Sequence, residues 1–408
     1  MNYQRVVQEI LNIGEMMIRT GAEIFRTEDS LYRMFESYGF CNSNVHVIPT
    51  NIQATVETPD GEIITQIRHI KKAGIDLTQL DKLNNLCRYL CENTPDEKEI
   101  KEKRMEISAL KPMSPALTAV AAMLGGGSFT VFFGGGLMDC IVGCIVSVFI
   151  ALGGMQLAKK ESNGFIYNLI LACISELFIL FVVEFYPNAH PESITDGIVM
   201  MLISALSTTN GIRDMLQRDI LSGIQNILGS ILGSAGIACG IAIGMMVLNG
   251  HDVGMIINSS TTIQVLTCGL AGIGFALWFN VPRDCVLFCG VGSLVTWLIY
   301  AICNTYLGMS NFVATLIGAC YVAAFAYIMA RIKKMPSTVF LSSTVIPLIP
   351  GPNLYYMMYA VTRGDSAMLR SETVVLLETC LGIALGFLVF DAIMRYTSDL
   401  YKNSIFAK

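Results

Sequence analysis

From residue 114 onward, apolar runs alternate with short polar connections, and ten can be drawn: 114–133, 138–158, 165–185, 195–209, 220–248, 259–279, 285–304, 311–331, 338–360 and 372–393. About 20 apolar residues in a helix cross the hydrocarbon core of a bilayer. The pattern therefore predicts a polytopic α-helical membrane protein of about ten spans. Residues 1–112 are patterned differently. Val6, Val7, Ile10, Leu11, Ile13, Met17 and Ile18 form a helical apolar stripe. Thr27-Glu28-Asp29-Ser30 predicts the start of a second helix, with Thr27 as N-cap. Val45–Glu57 and Glu62–Ile70 predict strands around the turn Pro59-Asp60-Gly61, Leu77–Leu90 a third helix, and Asp96–Lys111 a charged link. The expectation is a small α+β domain at 1–112 ahead of the membrane region.

Two apolar segments are interrupted in the same way. Ile203–Asp219 and Ile346–Asp365 each run through helix-disfavouring residues to an Asn, then to Arg and Asp, which pairs Asn210 with Asn353 and Asp219 with Asp365. Hydrophobic segments broken at corresponding places in two halves point to a transporter's binding site. Gly236-x3-Gly240 likewise matches Gly382-x3-Gly386. Five spans per half is an odd number, so the halves are expected to be inverted repeats, 113–250 and 251–408, the second with a short cytoplasmic tail.

Charge sets the direction. Residues 1–112 hold 14 of the 27 Lys and Arg and 17 of the 32 Asp and Glu. The loops after spans two, four, six and eight, with the tail, hold 11 Lys and Arg, whereas the opposite loops hold only Arg363 and Arg370. The positive-inside rule places both termini and the polar domain in the cytoplasm and the chain in the cell membrane. The acidic loop EFYPNAHPESITD, without Lys or Arg, belongs outside. Met1–Thr20 is charged and amphipathic, without the apolar core of a signal peptide. A net charge of −5 argues against a nucleic-acid partner.

The chemistry follows from the breaks. Pro347, Pro350, Gly351 and Pro352 are incompatible with one continuous helix. Asn210 and Asn353 each offer a donor and an acceptor, and with Thr209, Pro350 and Gly351 they form the expected substrate site. Glu176 and Glu378 lie within spans, where ionisable groups are costly and mark function. Asp214, Asp219, Asp284, Asp365, Arg213 and Arg283 cluster at the loop mouths as coupling or gating candidates. No metal site is expected: Cys87, Cys91 and His69 lack the second pair of ligands that metal-binding patterns carry. No cofactor is expected either. The GGG triplets at 125–127 and 134–136 lack the strand-then-helix setting of a phosphate loop, and no GxxxxGK[ST] is present. Four His and no paired catalytic motif argue against an enzyme. These residues suit a carrier of a small polar metabolite coupled to an ion, with the proton favoured. A passive channel and a membrane sensor or receptor are the alternatives, and a homo-oligomer is compatible with either.

Several segments resemble the threonine/serine exporter family. Gly14–Asp29, Ile48-Pro49-Thr50-Asn51-Ile52, Ile67-Arg68-His69-Ile70 and Gly74-Ile75-Asp76-Leu77 are similar to its N-terminal signature. Asn210–Gly223 is similar to its fourth-span exit, and Gly272–Asp284 with Ile346–Gly351 to its second module, a separate subunit in some members. The resemblance covers nearly the whole chain. It implies export of small hydrophilic metabolites, typically threonine and serine, driven by an ion gradient; split members imply dicarboxylates as the other class. One departure is Ser207-Thr208-Thr209 where the family often has Pro-Gly in the first break.

Overall fold

The computed structural model describes residues 2–71, 74–161, 163–186, 188–203, 205–217, 219–248 and 259–406. They form two compact units. The expected boundary at 250/251 lies outside the described residues, as does Arg218.

One unit comprises Met1–Met113 with the short segments Phe279–Pro282 and Lys334–Val339. It contains α1 (Tyr3–Arg19), α2 (Ile24–Ser37), the antiparallel sheet β1-β2-β3 (Cys41–Ile48, Asn51–Glu57, Ile63–His69), α3 (Leu77–Asn93) and α4 (Glu97–Ser108). The apolar stripe of α1 is buried, as are Ile52, Ala54 and Val56, the alternate residues of β2 that share one face of the sheet. Three expectations are corrected. Thr27 lies inside α2, its hydroxyl donating to Glu23 O (3.1 Å), and Glu23 is the N-cap residue. Val45–Glu57 is two strands with a tight turn at Pro49-Thr50, because proline cannot continue the ladder. The charged link is largely helix α4, started by Asp96 accepting from Glu99 N (2.9 Å) and tied to α1 by Arg104–Glu9 (2.7 Å).

Cys87 is buried, with its sulfur on Met17 (3.8 Å), and burial pushes its thiol up to about 12. The short segments are held by hydrogen bonds. Asn280 Nδ2 donates to Asp76 Oδ1 (2.9 Å), and Arg26 Nη2 donates to Ser337 Oγ (2.6 Å).

The second unit is helical. Pro115–Phe132 runs as α5 (Pro115–Ala122), a π turn (Met123–Gly127) and α6 (Ser128–Phe132). Then come α7 (Leu137–Leu157), α8 (Gly164–Phe185), α9 (Pro191–Leu202), α10 (Ala205–Leu216), α11 (Ile220–Leu248), α12 (Thr261–Trp278) and α13 (Val286–Ala301). After α14 (Asn311–Lys333) follow α15 (Thr338–Thr344), which belongs to this unit from Phe340 onward, α16 (Gly351–Arg363) and α17 (Ser366–Phe406). Among the described residues, eight helical stretches are long and apolar enough to cross a membrane. The fourth and ninth apolar runs are each split into two shorter helices instead. Exposed Ile145, Phe181, Leu232, Leu287 and Ile328 give the long helices apolar outer faces, as a lipid solvent requires.

Glycines let these helices approach backbone to backbone. A Cβ on Gly236 or Gly240 of α11 would collide with the carbonyls of Phe165 or Leu169 on α8. On Gly382 or Gly386 of α17 it would reach the carbonyls of Phe312 (3.0 Å) or Leu316 (2.7 Å) on α14. Both pairs of glycines are offset by 146 residues, and their partners by 147.

Candidate functional site

The two breaks differ in chemistry. In the second, α15 ends at Thr344, a 3-10 turn spans Ile346–Leu348, Ile349 is extended, and Pro350 precedes α16. Prolines at 347, 350 and 352 remove three amide donors, so the turn closes through Leu348 N to Val345 O (2.9 Å) and Gly351 N to Ile349 O (2.8 Å). Asn353 is buried in the first turn of α16 and donates through Nδ2 to Glu372 Oε2 on α17 (2.8 Å).

Beside this break lies a cavity of about 160 Å³. Its floor is Pro347–Pro350 with Pro352 and Asn353, and Phe129, Phe132, Trp297 and Tyr300 form an aromatic wall. Asn311, Thr315 and Thr379 supply polar groups. Those groups are fixed in place. Tyr300 Oη donates to Asn311 Oδ1 (3.1 Å), Asn311 Nδ2 donates to Thr379 Oγ1 (2.9 Å), and Trp297 Nε1 donates to Gln264 Oε1 (3.1 Å). A cavity near 150 Å³ holds a molecule the size of benzene, so this one suits a metabolite of that order. The N-terminus of α16 contributes the positive end of a helix dipole. Among the described lining residues there is no Lys, Arg, Asp or Glu.

The first break has no proline. α9 stops at Leu202, Ile203 is extended, and α10 begins at Ala205. The expected interruption at Ser207–Asn210 is corrected: those residues are helical, because Ser and Thr are tolerated in a helix where proline is not. Asn210 is thus a half-buried residue within α10, while Thr209 is buried against Cys380 Sγ (3.9 Å). The two breaks also align in a second register. The offset of 146 that relates the glycines also carries extended Ile203 to extended Ile349 and Asp219 to Asp365. It sets Ser207 opposite Asn353, and Asn210 opposite Tyr356.

Polar groups are nonetheless buried beside the first break. Glu176 on α8 is 2% exposed and its Oε2 accepts from Thr195 Oγ1 (3.0 Å). Asp196 on α9 is 1% exposed and its Oδ1 accepts from Tyr356 Oη on α16 (2.9 Å). Sequence reasoning left Asp196 in the acidic outer loop. That loop ends at His190, and Pro191 with Glu192 begins α9, a proline-and-acid helix start that was legible. Tyr355, Tyr356 and Glu372 were also missed.

The mouth residues serve mainly as caps and pairs. Asp365 Oδ1 accepts from Ala367 N and Met368 N (both 3.0 Å), and Asp219 from Ser222 N (3.4 Å). Asp214 accepts from Asn226 Nδ2 (3.1 Å), and Arg213 pairs with Asp391 (3.6 Å). Asp284 pairs with Lys333 (3.0 Å) and not with its neighbour Arg283, which is exposed. Glu378 is half-buried on α17, Pro350 lines the cavity, and Gly351 packs against Met200, whose sulfur a Cβ there would meet at 2.6 Å.

Comparison with known proteins assigns the family. The model ThrE, for a threonine/serine exporter, matches residues 8–248. The model ThrE_2, described as "Threonine/Serine exporter, ThrE", matches residues 264–393. The chain belongs to the threonine/serine exporter family. Both models match within one chain, the first ending at residue 248 and the second beginning at residue 264. The chain is 22% identical to the "Threonine/serine exporter" of Corynebacterium glutamicum over 94% of its own length and 81% of that protein's. It is 18% identical to the "Probable threonine/serine exporter" of Mycobacterium tuberculosis (strain ATCC 25618 / H37Rv), over 89% of its own length and 71% of that protein's. No solved structure matches it. A member of this family is a membrane transport protein.

Proposed function

We propose that the protein is a secondary-active exporter of threonine and serine, driven by a proton gradient, with the cavity at the second break as its substrate site. The observation that carries this is a small cavity at a proline-broken helix whose polar groups are amides and hydroxyls. A zwitterion suits it. Asn353 and the α16 N-terminus face a carboxylate, the Asn353 side-chain oxygen an ammonium, and Thr315 and Thr379 the hydroxyl. Succinate has the same number of heavy atoms as threonine, but would bring two negative charges to a lining with no Lys or Arg among the described residues. Charge, not size, favours the amino acid.

In this reading the fourth and ninth runs are broken spans, which gives ten spans in two inverted repeats. The shared offset of the glycines and the breaks supports it. So does the placing of Phe279–Pro282 and Lys334–Val339 in the polar unit, since charge assigns that unit and both loops to the cytoplasm, with the termini. The cell membrane is the expected location. Buried carboxylates beside the first break provide proton-binding groups.

The test is purified protein in liposomes supplied with labelled threonine, serine or succinate, with and without a proton gradient. Gradient-driven threonine and serine accumulation is expected. Succinate as the preferred substrate would replace the amino acid, and threonine flux that only equilibrates would make the protein a passive channel.

A further inference from the structure

We propose that Asp196 takes up the transported proton and that its hydrogen bond with Tyr356 is the latch by which protonation releases one broken helix from the other. This rests on the proton-driven reading above. Asp196 lies in the helix before the first break, and Tyr356 in the helix after the second. Their 2.9 Å bond is therefore a polar tie from one half of the membrane unit to the other.

The carboxylate is half-satisfied. Oδ1 receives the tyrosine proton, while Oδ2 is buried with no partner among the described residues. A buried oxygen left in that state is costly unless something comes to fill it. A second orphan lies within range of its charge: the hydroxyl of fully buried Tyr355 also lacks a partner among the described residues, and it feels the charges of Glu176 and Asp196. A proton added to Oδ2 converts the carboxylate to a carboxylic acid, a donor that the Tyr355 oxygen is suited to accept. No bond other than that O–H forms or breaks, and release on the other side of the membrane reverses it. A hydrogen bond to an ionised acceptor is roughly twice as strong as one to a neutral acceptor. Protonation therefore weakens the Tyr356 tie and frees α9 to shift against α16.

The other ionisable groups around Asp196 are accounted for. Glu176 and Cys173 come from α8, Glu192 from α9 itself, and Tyr359 and Arg363 from α16. Glu372 on α17 and Glu192 act on Asp196 through their charge. Asp139 on α7 is engaged with Gly136 N (2.8 Å) and His190 Nδ1 (2.9 Å). The thiols of Cys140 and Cys144 bond the carbonyls of Gly127 and Met123, and α6 has no ionisable side chain.

The test uses full-length protein in liposomes and reads threonine-dependent proton flux with an interior pH dye, beside threonine–threonine exchange without a gradient. Asp196→Asn is expected to lose the proton flux at least tenfold while exchange still runs. Glu176→Gln is expected to slow transport but keep the flux. Tyr356→Phe keeps the carboxylate and removes the donor that favours its ionised form, so the pH of half-maximal transport should move upward. Proton flux that survives in Asp196→Asn, or disappears only in Glu176→Gln, overturns the proposal. If Asp196→Asn does not fold, an unchanged pH profile in Tyr356→Phe overturns it. Wild-type threonine transport without proton flux would instead remove the proton-driven reading itself.

Discussion

The two halves of the membrane unit share their helix packing and differ at their breaks. In both, a Gly-x3-Gly pair in the last helix presses against the backbone near the start of another, at Phe165 and Leu169 of α8 or at Phe312 and Leu316 of α14. In both, an extended isoleucine, Ile203 or Ile349, lies in the break. Yet the second break is built of prolines and opens on a cavity, while the first has none and adjoins buried carboxylates. Packing depends on close backbone approach and tolerates little change, because a side chain at a glycine has nowhere to go. A break can be made by several means and can therefore specialise. In this account the second break holds the substrate and the first couples it to the ion.

The largest expected effect tests the shared part. Gly240→Val and Gly386→Val each drive side-chain atoms into a neighbouring backbone, and overpacking of that kind costs about 3 kcal/mol or more where no flexible atom yields. Both variants should be lost to aggregation on size-exclusion chromatography. If one half tolerated its valine, the packing would not be equivalent.

The next test addresses the first break alone. Thr195→Val removes the donor to Glu176 and leaves a buried carboxylate oxygen short of a partner, at a cost of about 1–3 kcal/mol. Thermal unfolding in detergent should fall accordingly, with the threonine KM unchanged. A raised KM would bring substrate to the first break.

A smaller effect is expected from Tyr355→Phe. The hydroxyl it deletes has no partner among the described residues, so stability should be unchanged or improved by up to about 1 kcal/mol. A clear loss of stability would mean that the hydroxyl is satisfied in the membrane, and would weaken its part in receiving a proton.

Much of this arrangement was legible in the sequence. The long apolar runs became helices close to the expected limits, and Pro347, Pro350 and Pro352 located the second break because proline cannot be accommodated in a continuous helix. The first break was misplaced by a few residues, since Ser207-Thr208-Thr209 disfavours helix only weakly and α10 forms through it. That placing singled out Asn210 and passed over Ser207, the residue 146 positions before Asn353. Asp196 was missed because an acidic residue near a run of polar residues looks like loop until Pro191 is taken as a helix start. Tyr355 and Tyr356 were hidden for a different reason. An aromatic pair beside a break carries no periodicity, and only the tertiary packing of α16 against α8, α9 and α11 gives the hydroxyls their surroundings.

The central claim, that the second break and not the first holds the substrate, is tested most directly by equilibrium binding of labelled threonine to purified wild type, Asn353→Ala and Asn210→Ala. Losing one charge-assisted hydrogen bond costs about 1.5–3 kcal/mol, or about 10- to 150-fold in affinity. The account predicts that loss for Asn353→Ala and a Kd within about twofold of wild type for Asn210→Ala, the difference expected of a substitution that touches no ligand. Wild-type affinity in Asn353→Ala together with a tenfold loss in Asn210→Ala would contradict it.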